Sequence, residues 1–255
     1  MKNSLVVPVE HLTAGPYASV LCFPKPSETE MQSRLRELAS LGVTALEFSG
    51  KAILFGVEFP VLGKGYVGIV VAAHRNGNKV ALKIRRTDAN RADLLREAQM
   101  LSTANSVCVG PKLVEASKNF LLMQLIEGDP LSVWLGTATS KESVRKVLLD
   151  VLEQCRRLDE AGLDHGELSR APKHVLVDRT EKPFIVDFET SSVQRRVANV
   201  TAICQYLFAG TSPVSKAISE IFAPKDKERI VEALRIYKRS KTEENFQALL
   251  RACSL

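Results

Sequence analysis

The sequence predicts an α+β fold in two parts, an antiparallel sheet with one helix followed by a small, mainly helical part, and three observations carry this. Residues 57–126 hold short β-branched and apolar runs separated by turn signals, chief among them Asn76-Gly77 between VGIVVAAH and KVALKIRR. From Val144 to Leu158 the apolar residues recur at helical spacing, and from about Val193 the pattern stays helical to the end. The change falls near Gly128-Asp129-Pro130. The expected division is therefore an N-terminal arm and helix over 1–52, a sheet part over 53–128 and a helical part over 129–255.

Taken in order, residues 1–26 contain Pro8, Pro16, Pro24 and Pro26 and read as an extended arm. Ser27 with Glu30 forms a capping box, and Met31, Leu35 and Leu38 share a helical face that ends at Gly42. Five strands follow: FPVLG, VGIVVAAH, KVALKIRR, KLVEAS and FLLMQLI. One helix, NRADLLREAQML, interrupts them, with Leu94, Ala98 and Leu101 on one face. In the second part Thr139 and Glu142 are expected to cap a long helix whose stripe runs through Val144, Val147, Leu148, Val151, Leu152, Cys155 and Leu158 to a stop at Gly162. HVLVD and PFIVD then read as a strand pair.

The chain is 45% apolar and 25% charged, which excludes a collagen-like chain, a disordered tail or a disulfide scaffold. No apolar run approaches the ~18 residues of a membrane span, and the N-terminus lacks a signal-peptide pattern, so a cytoplasmic protein with no membrane partner is expected. Five dispersed cysteines without a Cys-x-x-Cys pair read as reduced thiols rather than a zinc site. The net charge of +6 is spread along the chain except for Arg235, Lys238, Arg239 and Lys241. That stretch is either a solvated helix face or a contact for RNA.

Gly63, Gly65, Gly68 and Val70 form G-x-G-x-x-G-x-V, a spacing at which backbone N–H groups can approach phosphate oxygens. The segment enters a hairpin rather than a helix, which excludes a dinucleotide fold, and no Ser or Thr follows Gly63-Lys64 as a Walker loop requires. Val80-Ala81-Leu82-Lys83 lies on the strand after the hairpin. Glu97 sits on the next helix where a carboxylate could pair with Lys83.

In this order the motifs resemble the protein kinase superfamily, over roughly residues 57–209. Met123, Gln124 and Ile126 look like the hinge that holds adenine, His165-Gly166-Glu167-Leu168 looks like the catalytic loop, and Asp187-Phe188-Glu189 stands where the metal-binding Asp-Phe-Gly is found. His-Gly in place of His-Arg, and the lack of an Ala-Pro-Glu motif beyond the near match Ala223-Pro224-Lys225, are similar to the atypical RIO kinases and the kinase of the KEOPS complex. Through HGELSRAPKHVLV, VDFE and RRVANVTAICQYLF the chain resembles archaeal predicted serine/threonine kinases.

The resemblance implies a bilobal protein-kinase-like fold, with ATP between the lobes and Mg²⁺, or Mn²⁺, as cofactor. It implies Ser/Thr phosphorylation of the chain itself or of a protein substrate. Gly63, Gly65, Gly68, Val70, Ala81, Lys83, Glu97, Met123, Gln124 and Ile126 would bind nucleotide. Asp187 would bind the metal, with His174 and Glu189 as further candidates. Glu167 would position or deprotonate the acceptor hydroxyl, and Lys173 would place a cation near the γ-phosphate. Glu167 stands where an aspartate is usual, and Pro172 where an asparagine is expected. Either the loop is two residues longer, putting His174 at that place, or one metal is lost. Thr190, Ser191 and Ser192 are candidate autophosphorylation sites. The same fold also serves small-molecule phosphotransferases, and a catalytically impaired nucleotide-binding scaffold on a ribonucleoprotein is the third function class.

Overall fold

A computed structural model describes residues 4–14, 16–54, 59–170, 172–222 and 226–255. The start of the first predicted strand at Val57 and the Ala223-Pro224-Lys225 segment lie outside the described residues. The chain divides into two compact units, one of residues 1–102 and 112–125, the other of residues 103–111 and 126–255.

The first unit is built on an antiparallel sheet. Its elements are β1 (Leu5–Pro8), α1 (Tyr17–Leu21), α2 (Glu28–Ser40), β2 (Val43–Phe48), β3 (Ala52–Ile53), β4 (Pro60–Val61), β5 (Gly63–Lys64), β6 (Gly68–Arg75) and β7 (Asn78–Arg85). Helix α3 (Leu95–Ser106), β8 (Leu113–Ala116) and β9 (Phe120–Gln124) complete it, α3 running on into the second unit. The strand order is β1-β2-β6-β7-β9-β8, with β5 also paired to β6. Asn76 and Gly77 both take positive φ at the β6–β7 turn, as a type I′ hairpin needs. The predicted FPVLG strand is split. Pro60–Val61 pairs with β3, and Gly63–Lys64 joins the main sheet.

Two strands beyond the predicted five come from the N-terminal segment, which the sequence reads as an arm and one helix. β1 pairs with β2 from Leu5↔Phe48 to Pro8↔Ala45, and β2 pairs with β6. Val7, Leu12, Leu21, Leu38, Leu46 and Phe48 then bury against Ile69, Val71, Leu82, Ile84, Phe120 and Leu122 on one face of the sheet. Each large side chain so buried stabilises by about 1.5–3 kcal/mol. Ser27 caps α2 as predicted, its hydroxyl accepting from Glu30 N at 3.3 Å.

Arg34 of α2 is fully buried in this layer. Its guanidinium donates to Glu30 Oε1 at 2.8 Å, to Leu21 O at 2.7 Å, to Arg85 O at 2.6 Å and to Asn119 Oδ1 at 3.4 Å. Glu37, one turn on, accepts from Asn119 N and Nδ2, both at 2.7 Å. The helix is thereby fastened to the end of β7 and to the β8–β9 turn.

The second unit contains β10 (Gly128–Pro130), α4 (Leu131–Trp134), α5 (Lys141–Glu160), β11 (Val175–Asp178) and β12 (Pro183–Ile185). Helices α6 (Asn199–Cys204), α7 (Pro213–Phe222), α8 (Lys227–Arg239) and α9 (Glu243–Ala252) follow. The seven predicted stripe residues of α5 are all buried, and Gly162 after its end has left-handed backbone at φ 70. Ser140, not Thr139, is its N-cap: Ser140 has extended backbone and its hydroxyl accepts from Ser143 N at 3.0 Å. The strands order as β10-β11-β12, all antiparallel.

Candidate active site residues

Alternation along β7 sends Val80, Leu82 and Ile84 into the N-terminal core and leaves Ala81 and Lys83 on the other face. Cross-strand partners share a face, so Val70 opposite Lys83, and Met123 opposite Ala81, lie on that second face with them. Lys83 there meets Glu97 of α3, Nζ lying 2.9 Å from Oε1 and 2.8 Å from Oε2, with both side chains about 5% exposed, at 5% and 6%. The predicted pair is formed and is buried.

Gly68 is required beside it. A Cβ there would lie 2.9 Å from Ile84 O and from Lys83 Cγ, so only glycine lets the lysine stem cross this strand. A Cβ on Gly63 would meet nothing closer than 3.8 Å. Gly65 is held by its neighbours: its N–H donates to Gly68 O at 2.8 Å, and its carbonyl accepts from Arg86 Nη1 at 3.3 Å. Arg86 also lies 5.1 Å over the Phe23 ring. Tyr66, at the loop tip, is 93% exposed.

Gln124 departs from the group. It stands opposite Val80, on the core side of the sheet, its N–H donates to Lys112 O at 2.8 Å and its Oε1 accepts from Lys112 N at 3.3 Å. Ile126 is half-buried and begins the second unit's longer segment.

In the second unit the β11–β12 hairpin organises the acidic residues. Val175 pairs with Ile185, and the register continues one step outward, with Val186 N donating to His174 O at 3.0 Å. His174 is thus set beside Asp187. Its Nδ1 lies 3.9 Å from Asp187 Oδ2, and its Nε2 lies 3.3 Å from Glu167 Oε2. One donor atom from each of Glu167, His174 and Asp187 falls within 4.8 Å of the others. Asp187 has φ 70, a left-handed backbone that is uncommon outside glycine and is found at functional sites. Of the predicted metal ligands the cluster joins Asp187 and His174, adds Glu167 and does not include Glu189. Lys173 is exposed next to His174.

His165 supports this group. It is fully buried, its Nε2 is 3.1 Å from Val186 O, and its ring packs edge-on against His174 at 5.4 Å and Phe188 at 5.2 Å. Burial, with the neighbouring His174 second, lowers its pKa to about 4, so it is neutral near pH 7. Phe188 in turn lies over Gly110, where a Cβ would come within 2.8 Å of the ring.

Sequence reasoning missed what fixes the loop. Asn199 Oδ1 accepts from His165 N at 2.8 Å, while its Nδ2 donates to Leu163 O at 2.7 Å and to Asp159 Oδ1 at 2.9 Å. Burial raises the Asp159 pKa, although the Asn199 donors oppose it. Gly166, at φ 91, lies against Arg195, which donates to Asp164 Oδ2 at 2.9 Å and Thr190 O at 2.7 Å. Thr190 and Ser191 donate their hydroxyls to His165 O, Ser192 Oγ accepts from Gln194 N at 3.1 Å, and Ser191 and Ser192 are buried, so the three hydroxyls tie the loop. The basic stretch is distributed at the end of α8, where Arg235 is 3.4 Å from Glu232 and the Lys238 carbonyl accepts from Arg196.

Among the described residues no helix is long and apolar enough to cross a membrane. Residues 71–200, just over half of the chain, match the RIO domain. An uncharacterized protein of Methanocaldococcus jannaschii is 29% identical over 98 residues, a stretch covering 38% of this chain and 81% of that protein. The matched span holds Lys83, Glu97, Glu167, His174 and Asp187 alike, and with it the chain belongs to the RIO domain family of atypical, kinase-like proteins.

Proposed function

We propose that the protein is an ATP-dependent kinase that transfers the γ-phosphate to a Ser or Thr hydroxyl, on itself or on a protein substrate. The observation that carries this reading is the buried Lys83–Glu97 ion pair beside Gly68. A lysine held by a carboxylate at the edge of a glycine-rich turn is oriented to meet phosphate oxygens rather than solvent. Val70, Ala81 and Met123 supply an apolar surface on the same sheet face for a nucleobase.

Glu167 would accept a hydrogen bond from the acceptor hydroxyl and take its proton as the new P–O bond forms and the bond from the γ-phosphorus to the β,γ-bridging oxygen breaks, with ADP leaving. Its carboxylate has two oxygens, of which Oε2 faces His174, leaving Oε1 for that task. Lys173 would add positive charge where the transferring group becomes more negative. The donor set of Asp187, His174 and Glu167 fits a divalent cation, since the buried Nδ1 of His174 has no hydrogen-bond partner and lies 3.9 Å from Asp187 Oδ2, while Nε2 of the same ring lies 3.3 Å from Glu167 Oε2. When bound there, such an ion would neutralise phosphate charge.

The test is transfer of γ-phosphate label from ATP with Mg²⁺ or Mn²⁺ to the protein and to generic acceptors, beside the Asp187→Asn variant. Label on a Ser or Thr that disappears in the variant supports the reading. Label only on small hydroxyl compounds replaces it with a small-molecule phosphotransferase, and nucleotide binding without transfer replaces it with a scaffold.

A further inference from the structure

The most rigid donor in the Glu167, His174 and Asp187 group is the imidazole. His174 is 9% exposed, its carbonyl is tied to Val186 N, and its ring is wedged against His165. Its Nδ1 is buried without a hydrogen-bond partner, 3.9 Å from Asp187 Oδ2. Leaving such a nitrogen unsatisfied is unfavourable unless a ligand meets it. The two carboxylates are less enclosed, with both side chains 40% exposed.

Those three side chains can converge on one ion. Donors about 2.1 Å from an octahedral metal lie roughly 3 Å apart, so the present group has to close by about 1–2 Å. The movement needed is a rotation of the partly exposed carboxylates toward the imidazole. What distinguishes the set is its nitrogen. Magnesium takes oxygen donors and keeps its waters, whereas imidazole suits the first-row transition ions.

We propose that Glu167, His174 and Asp187 hold a divalent transition-metal ion of the manganese or cobalt class in preference to magnesium, with a ring nitrogen of His174 as the selecting ligand. This rests on the same group of residues as the kinase reading, but its test reads binding rather than transfer. Neither carboxylate alone would produce the preference. His174 does so because its position is fixed by the hairpin register before any ion arrives.

The experiment is calorimetric titration of the untagged, nucleotide-free chain with Mn²⁺, Co²⁺ and Mg²⁺. Mn²⁺ and Co²⁺ should bind at least about ten-fold tighter than Mg²⁺, and His174→Asn should weaken Co²⁺ by about ten-fold or more while changing Mg²⁺ little. Thermal melting establishes that the variant is folded. Should it not fold, pulsed EPR of the Mn²⁺-loaded natural sequence reads the same point, since a bound imidazole gives a nitrogen coupling. Equal affinity for Mg²⁺ and Mn²⁺, unchanged Co²⁺ binding in a folded His174→Asn, or no nitrogen coupling overturns the proposal. Selective binding without phosphate transfer would instead overturn the kinase reading and leave the metal assignment standing.

Discussion

Arg195 occupies the volume that a side chain at position 166 would need: a Cβ on Gly166 would collide with its Nη2 and lie 3.1 Å from Thr190 Oγ1. To admit a side chain there, the arginine that ties Asp164 to Thr190 would have to draw its guanidinium aside and loosen those bonds. Gly166→Ala adds this collision to a backbone at φ 91, and should destabilise by about 2–4 kcal/mol. In a double-mutant cycle, Arg195→Ala should recover part of that loss, leaving the contribution of the backbone alone. Denaturant unfolding measures both.

Lys83 and Glu97 provide a second test, because breaking a buried pair leaves one uncompensated charge. Lys83→Met should cost about 3–5 kcal/mol, and combining it with Glu97→Leu should return most of that stability. Neither variant should transfer phosphate. Stability and activity are thus separable at this pair, and restored melting with lost transfer is the expected outcome.

Much of this was legible in the sequence, for reasons of range. Asn76-Gly77 fixes its hairpin through two adjacent backbones, and the α5 stripe repeats through its own length. The order of Gly68, Lys83, Glu97 and Asp187 could be read from a resemblance. Asp159 and Asn199 could not be linked, since they are 40 residues apart and each alone is an ordinary polar residue. Arg34 shows the same limit: on a helix with acidic neighbours it reads as a surface charge, and the distant acceptors that explain its burial are the carbonyls of Leu21 and Arg85 and Asn119 Oδ1.

The acidic residues of the second unit differ in what their loss should do. Glu167→Gln should lower the transfer rate by about 10²–10⁴-fold if it takes the acceptor's proton, leaving residual transfer, and should weaken metal-dependent nucleotide binding as the loss of one donor of the metal group. Asp187→Asn should abolish transfer and also weaken metal-dependent nucleotide binding. Single-turnover transfer and equilibrium nucleotide titration, measured on the same preparations, distinguish these patterns.

Glu47 couples the seating of β2 to pH. Burial alone would raise its pKa, but hydrogen bonds from Lys79 and His74 outweigh it and hold the carboxyl below the usual value. A depressed acid contributes stability that is present above its unfolded pKa and lost as pH falls through the folded one. Melting temperature should therefore drop as the solution is acidified through and below the ordinary glutamate range. Glu47→Gln should flatten that part of the profile while lowering stability at neutral pH.

β2 covers the edge of β6 from Ala72 to Arg75, and its helix covers the apolar face behind it. A chain cut at residue 53 would carry the whole 71–200 span and keep β5 on Ile69 and Val70, but would leave the Ala72–Arg75 stretch of β6 with unanswered amides and carbonyls. Such an edge recruits strands from other molecules. The shortened form should cloud on concentration where the full chain stays clear, because the family's own stretch relies on the N-terminal segment to close that edge.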